Sequence, residues 1–153
     1  MIIYIGADHK GFSLKESLKK YLQENGYTVS DMGNTVLDPN DDYPDFAVPV
    51  AEKVSMDPEG SKGILICGSG VGVDVVANKF PRIRSSLVVS PDHAFLSRKD
   101  DNANVLSLPA DLIDEQAAKM ITATWLQTPF SEEVKYKRRI AKIRDIEQKA
   151  KDM

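Results

Sequence analysis

Strand-like and helix-like segments alternate along this chain from end to end, and that alternation constrains the fold more than any other feature. Residues 2–5, 28–30, 63–66, 85–89 and 103–106 form short, mostly apolar runs. Apolar runs of this length suit strands buried on both faces. Helical signals fill the gaps. Leu14, Leu18, Tyr21 and Leu22 share one helical face after Ser13-Leu14-Lys15-Glu16, which has the spacing of a capping box, and Gly26 closes that helix. Further helices are predicted over 44–54, with Pro44 in the first turn, and over 71–79, 92–99, 114–126 and 132–150, the last long and highly charged. Residues 34–42, rich in Pro, Asn and Asp, read as a loop. Strict alternation predicts an α/β fold: a Rossmann-like, three-layer single domain over residues 1–153, with a five-stranded parallel sheet and a long C-terminal helix. At 153 residues the chain is long enough to bury such a core in one domain.

Ligands in folds of this kind bind beyond the carboxyl ends of the strands. Three segments leave strands at that edge: Gly6-Ala7-Asp8-His9, Cys67 to Gly72, and Pro91-Asp92-His93. In the second, an apolar run ends in Cys67, the only cysteine, and Gly68-Ser69-Gly70-Val71-Gly72 follows at once. A glycine loop between strand and helix directs free backbone N–H groups at one point and suits an anion. The same setting suits a thiolate. Topology brings Asp8 and His9 toward Cys67, a constellation for proton chemistry. The competing reading of Cys67 is a small buried hydrophobe; burial alone needs no glycine loop. His93 reads as a surface residue in a first helical turn, and Asp74 as a carboxylate favoured near a helix N-terminus. Lys135 and Arg139 lie four apart in the basic run Lys135-Tyr136-Lys137-Arg138-Arg139 and share a face suited to gripping a phosphate.

Several chemistries are excluded. A dinucleotide fingerprint needs glycines spaced G-x-G-x-x-G, which Gly68-Ser69-Gly70-Val71-Gly72-Val73 lacks, and a P-loop needs Lys-Ser or Lys-Thr where Val73-Asp74 stands. A cysteine phosphatase loop wants Arg at position 73, which is Val. No His/Cys cluster has zinc spacing, so no metal is expected. A net charge of -3 gives no electrostatic footprint for nucleic acid. No apolar stretch approaches the length of a membrane span, and Met1 leads straight into a strand-like run with no signal peptide pattern. A single cysteine suits a reducing cytoplasm.

The surviving motifs resemble one family. Gly6-Ala7-Asp8-His9 with Gly11-Phe12, Asp42-Tyr43-Pro44-Asp45, and Ile66-Cys67-Gly68-Ser69-Gly70-Val71-Gly72 with Ala77-Asn78-Lys79 are similar to the B-type ribose-5-phosphate isomerases, which belong with the galactose-6-phosphate isomerase subunits. Arg84, Leu96-Ser97-Arg98, Asn102-Ala103-Asn104-Val105 and Leu126-Gln127-Thr128-Pro129-Phe130 fit the same pattern, so the resemblance spans the chain. It implies a metal-independent aldose–ketose isomerase that needs no cofactor and moves a proton between C1 and C2 through a cis-enediolate. Cys67 is then the base. Ser69 and the backbone of Gly68, Gly70, Val71 and Gly72 hold the enediolate oxygen. Asp8 holds hydroxyls or shuttles a proton, Tyr43 lines the sugar pocket, and Asp101 joins the substrate-binding set. His9 binds the phosphate together with Lys135 and Arg139, which in the family come from the partner subunit. A cytoplasmic homodimer with shared active sites is therefore expected, with pairing into a tetramer left open.

Three positions depart from the family pattern. Asp100 stands where a ring-opening histidine is common, and acid–base work there needs a raised carboxyl pKa. Asp111 stands where an arginine usually meets the phosphate, and a carboxylate there repels a dianion. Tyr136 replaces the histidine of the last helix, while Lys135 and Arg139 keep its cations. Three readings follow: a ribose-5-phosphate isomerase with an altered shell, an isomerase of a hexose 6-phosphate (galactose or allose type) or free sugar, and a weakly active sugar-phosphate-binding paralogue.

Overall fold

A computed structural model describes residues 1–153, in which five strands and five helices alternate and a sixth helix follows the fifth. The strands are β1 (Ile2–Ala7), β2 (Thr28–Asp31), β3 (Ser61–Cys67), β4 (Ser85–Leu87) and β5 (Val105–Pro109). The helices are α1 (Phe12–Glu24), α2 (Pro44–Met56), α3 (Val71–Ala77), α4 (Pro91–Asp101), α5 (Glu115–Gln127) and α6 (Val134–Lys151). All strand pairs are parallel, in the order β2-β1-β3-β5-β4. This is the expected three-layer α/β fold of Rossmann type, long last helix included.

Side-chain alternation along each strand divides the core in two. Ile64 and Ile66 of β3 face the layer formed by α1, α4 and α5, where Leu18, Leu22, Ala94, Ile121 and Trp125 are fully buried. Leu65 and Cys67, one residue out of phase, face α2 and α3 with Val50, Val54, Val73 and Ala77. Cys67 therefore belongs to the α2/α3 side. The chain leaves β1 toward β2 on one flank and leaves β3 toward β4 on the other, so connections diverge between β1 and β3. A crevice opens at that point of the carboxyl edge.

Local details differ from the sequence reading for physical reasons. The Ser13 capping box does not form: α1 starts at Phe12 with Gly11 as its N-cap residue and no side-chain cap. Asp8 acts one turn earlier, where its Oδ1 accepts from the amides of Lys10 and Gly11. Glu16 is engaged elsewhere, by Lys15 and Lys19. Strand β5 runs to Pro109 rather than ending at Leu106, because its backbone pairs with β3 as far as Cys67, while the buried Ser107 hydroxyl is satisfied by that of Ser85 at 3.0 Å. Helix α3 stops at Ala77, where the Asn78 side chain donates to the carbonyls of Asp74 and Ser85. No helix is long and apolar enough to cross a membrane.

Candidate active site

The loop after β3 holds Cys67 at the floor of the crevice. Its thiol is buried, and the Gly70 amide donates to Sγ at 3.2 Å. That contact requires Gly70 to take a left-handed backbone, φ +73°, which turns its N–H back over the strand end. Ser69 is exposed, and its Oγ accepts from the Val71 amide at 3.2 Å. The Ser69 hydroxyl hydrogen stays available to a ligand. Over this loop lies Tyr43, the residue before α2: a Cβ on Gly72 would come within 2.6 Å of its ring. Gly72 is thus the floor against which the aromatic wall closes.

Asp8 and His9 enter from the loop after β1. Asp8 is 6% exposed, and its Oδ1 is committed to the two amides that start α1, leaving the second oxygen to the crevice. His9 is held by a residue the sequence reading did not single out. Asp41, in the acidic loop before Tyr43, accepts from the His9 amide at 2.9 Å and pairs with its Nδ1 at 2.7 Å. This hydrogen bond to Asp41 raises the His9 pKa above its ordinary value, with help from Asp8 nearby. Asp8, His9 and Asp41 place one ligand atom each within 4.8 Å of one another, close enough to share a cation. The run Asp38-Pro39-Asn40-Asp41-Asp42 was the available signal, as turn carboxylates in a loop that must pass the crevice.

Asp111, after β5, reaches the same edge. Its amide donates to the Gly68 carbonyl at 2.9 Å, and its carboxylate pairs with Lys10 at 3.1 Å. Asp74 points away, accepting from Ser85 at 2.6 Å, and so has the structural role expected of it. His93 lies exposed in the first turn of α4.

The remaining candidates do not join Cys67 within one chain. Helix α4 starts at the carboxyl edge of the sheet and its eleven residues run about 16 Å back, so Asp100 and Asp101 sit at the amino edge. Helix α6 packs there. Lys99, Lys135 and Arg139 lie 5.2, 4.9 and 5.5 Å from the centre of the buried Tyr136 ring. Asp100 pairs with Lys99 at 3.0 Å, and this bond, with that of Tyr136 and the charge of Lys135, holds its carboxyl below the usual aspartate range. Within one chain, Asp100 therefore does not have the raised pKa that acid catalysis would need. Asp101 is exposed beside it, its carbonyl accepting from Arg84. Lys135 and Arg139 do share an exposed face, as four-residue spacing requires.

Comparison with known proteins identifies the family. A family model described as Ribose/Galactose Isomerase matches residues 3–143. The chain is 43% identical over 141 residues to the probable ribose-5-phosphate isomerase B of Mycoplasma genitalium, covering 92% of each chain. It is 40% identical over 147 residues to ribose-5-phosphate isomerase B of Escherichia coli, covering 96% of this chain and 97% of that one. The crystal structure of the Mycoplasma genitalium isomerase with bound ribulose-5-phosphate superposes with a TM-score of 0.94, at 41% identity over 96% of both chains. This chain belongs to the ribose/galactose isomerase family.

Proposed function

We propose that this chain interconverts ribose 5-phosphate and ribulose 5-phosphate. The observation that carries this reading is the buried Cys67 sulfur, with the Gly70 amide on it, in a crevice shared with Asp8, His9 and Tyr43. In the aldose-to-ketose direction, the Cys67 thiolate takes the C2 proton. The C2–H electron pair forms the C1–C2 double bond, and the carbonyl pair moves onto O1. The Ser69 hydroxyl and the backbone from Gly68 through Gly70 and Val71 to Gly72 meet the developing enediolate charge, the interaction that usually contributes most. Asp8, through its uncommitted oxygen, passes the O2 proton to O1. The Cys67 thiol then returns its proton to C1, leaving the carbonyl at C2.

Tyr43 packs against the sugar, and His9, charged when protonated, meets the phosphate. Asp100, Asp101, Lys135 and Arg139 serve the site of a second copy, which makes the working unit a homodimer with shared active sites. Asp100 enters as a carboxylate that accepts from a sugar hydroxyl, not as an acid. Residues 1–153 act as one domain, in the cytoplasm, and protein groups alone carry each step.

An isomerisation assay across ribose 5-phosphate, galactose 6-phosphate, allose 6-phosphate and free ribose, with Cys67→Ala alongside, tests the reading. Ribose 5-phosphate should give the highest kcat/KM, and Cys67→Ala should lose at least about a hundredfold, as removal of a general base does. Absence of turnover with any sugar, or full rate in Cys67→Ala, overturns it.

A further inference from the structure

Lys10 has no role in the mechanism above, yet its position is singular. Five loops leave the sheet at its carboxyl edge: residues 8–11, 32–43, 68–70, 88–90 and 110–114. Lys10 is the only Lys or Arg in any of them, against six aspartates, Asp8, Asp38, Asp41, Asp42, Asp111 and Asp114. A doubly charged anion entering this edge meets a negative field unless a cation is held in it.

The structure holds that cation. Lys10 Nζ lies 3.1 Å from Asp111 Oδ2, a bond that crosses from the loop after β1 to the loop after β5. The pair spans Gly68, where a Cβ would come within 2.7 Å of both Lys10 Cδ and Asp111 Oδ2. It therefore lies on the same loop that carries Cys67. Both side chains are about half exposed, 55% and 53%, and an exposed ion pair of this kind adds little to stability. An ammonium has three donors, and Asp111 uses one. Two remain for a ligand, beside His9.

We propose that Lys10 is a second phosphate-binding cation of this edge, beside His9, and that Asp111 is the residue that positions it. The assignment rests on the sugar-phosphate reading above. It also changes the meaning of Asp111. Considered alone, this carboxylate repels a phosphate; paired with Lys10, its charge is offset and it orients the ammonium's remaining donors over the glycine loop.

The test is steady-state kinetics on ribose 5-phosphate, with inhibition by inorganic phosphate, for the wild type, Lys10→Met, Lys10→Arg, Asp111→Asn and the Lys10→Met/Asp111→Asn pair. Lys10→Met should raise both KM and the phosphate inhibition constant by about tenfold or more, the usual weight of a charge-assisted contact, with kcat within about threefold. Lys10→Arg should keep KM near the wild-type value. Asp111→Asn should raise KM by about threefold, and should add nothing once Lys10 is Met. Unchanged KM and phosphate inhibition in Lys10→Met, with an active wild type, overturn this assignment alone. A fall in KM in Asp111→Asn makes Asp111 a repelling group and overturns its positioning role. A wild type that turns over no sugar phosphate overturns the isomerase reading and this one with it.

Discussion

The amide of Gly70 donates to the sulfur of Cys67 across 3.2 Å, so a backbone group three residues downstream faces the one thiol of the chain. Position 70 admits little besides glycine. A methyl group there would sit 2.5 Å from Leu87 Cδ1 and 3.1 Å from the Leu108 backbone, and the left-handed backbone at φ +73° disfavours any side chain.

Gly70→Ala should therefore cost about 2–4 kcal/mol, summing a left-handed penalty of about 1–2 kcal/mol with the strain of overpacking. Thermal unfolding should show Tm lowered by about 5–15 °C. Because the amide on Cys67 shifts as well, kcat should fall by at least about tenfold in whatever fraction stays folded. A stable Gly70→Ala with wild-type kcat would show that the contact with sulfur is incidental.

The His9–Asp41 pair predicts a pH dependence with a definite sign. Asp41 raises the His9 pKa, so the imidazolium persists above the ordinary histidine range and is lost as pH rises through the elevated value. KM for the sugar phosphate should be low at pH 6 and climb on the alkaline side. The stability that the pair contributes is complete below the ordinary pKa of 6.5 and is lost over the same rise. Asp41→Asn should move the KM inflection toward lower pH while leaving kcat in place. KM profiles of the two proteins from pH 5.5 to 9 decide it.

Asp100 should show no acidic role. Lys99 and Tyr136 keep its carboxyl ionised at working pH, so Asp100→Asn should lower kcat by less than about tenfold, and no limb of the kcat profile above pH 5 should disappear with it. Asp100→His should instead add a limb near the histidine range. Loss of a hundredfold or more in Asp100→Asn would give this carboxylate a direct part in the chemistry.

On the far side of β1, Lys15 is fully buried, with its ammonium 2.6 Å from Asp31 and 3.0 Å from Glu16, and Lys19 braces the same two acids. Burial pushes the Asp31 carboxyl up, but the hydrogen bonds of Lys15 and Lys19 prevail and hold it below the usual value. Lys15→Met should cost about 2–3 kcal/mol, less than an unpaired buried charge because Lys19 remains. The wild-type advantage is present above the ordinary aspartate pKa of 3.8 and fades as pH falls through the lowered one. Urea unfolding at pH 7 and pH 3 should show a gap between the two proteins that narrows in acid.

Much of the architecture was legible because buried parallel strands must be apolar and helices must alternate with them. Boundaries failed where a polar residue is paired out of sight: Ser107 reads as a strand end until Ser85 is placed beside it. Ser13 and Glu16 have the spacing of a cap, but Asp8 already meets the amides ahead of α1. In the site, the Cys67 loop was readable because its chemistry is local. Asp41 on His9 and Asp111 on Lys10 join residues 32 and 101 apart, and no local pattern marks such pairs. Asp100 is a partial case: its neighbour Lys99 does most to lower its pKa, and only the smaller part played by Tyr136, on another helix, escapes a local pattern.

The placement of Cys67 at one edge of the sheet and of Lys135 and Arg139 at the other has a consequence for mixtures. If each working site draws one edge from each of two copies, two defective chains can rescue one another. Cys67→Ala and an Arg139→Ala/Lys135→Ala double variant should each be nearly inactive alone. Mixed after reversible unfolding and refolding together, hybrid pairs would contain one site bearing both lesions and one bearing neither. About half of the pairs should be hybrids, each with one intact site of two, so about a quarter of wild-type activity should return from two dead preparations.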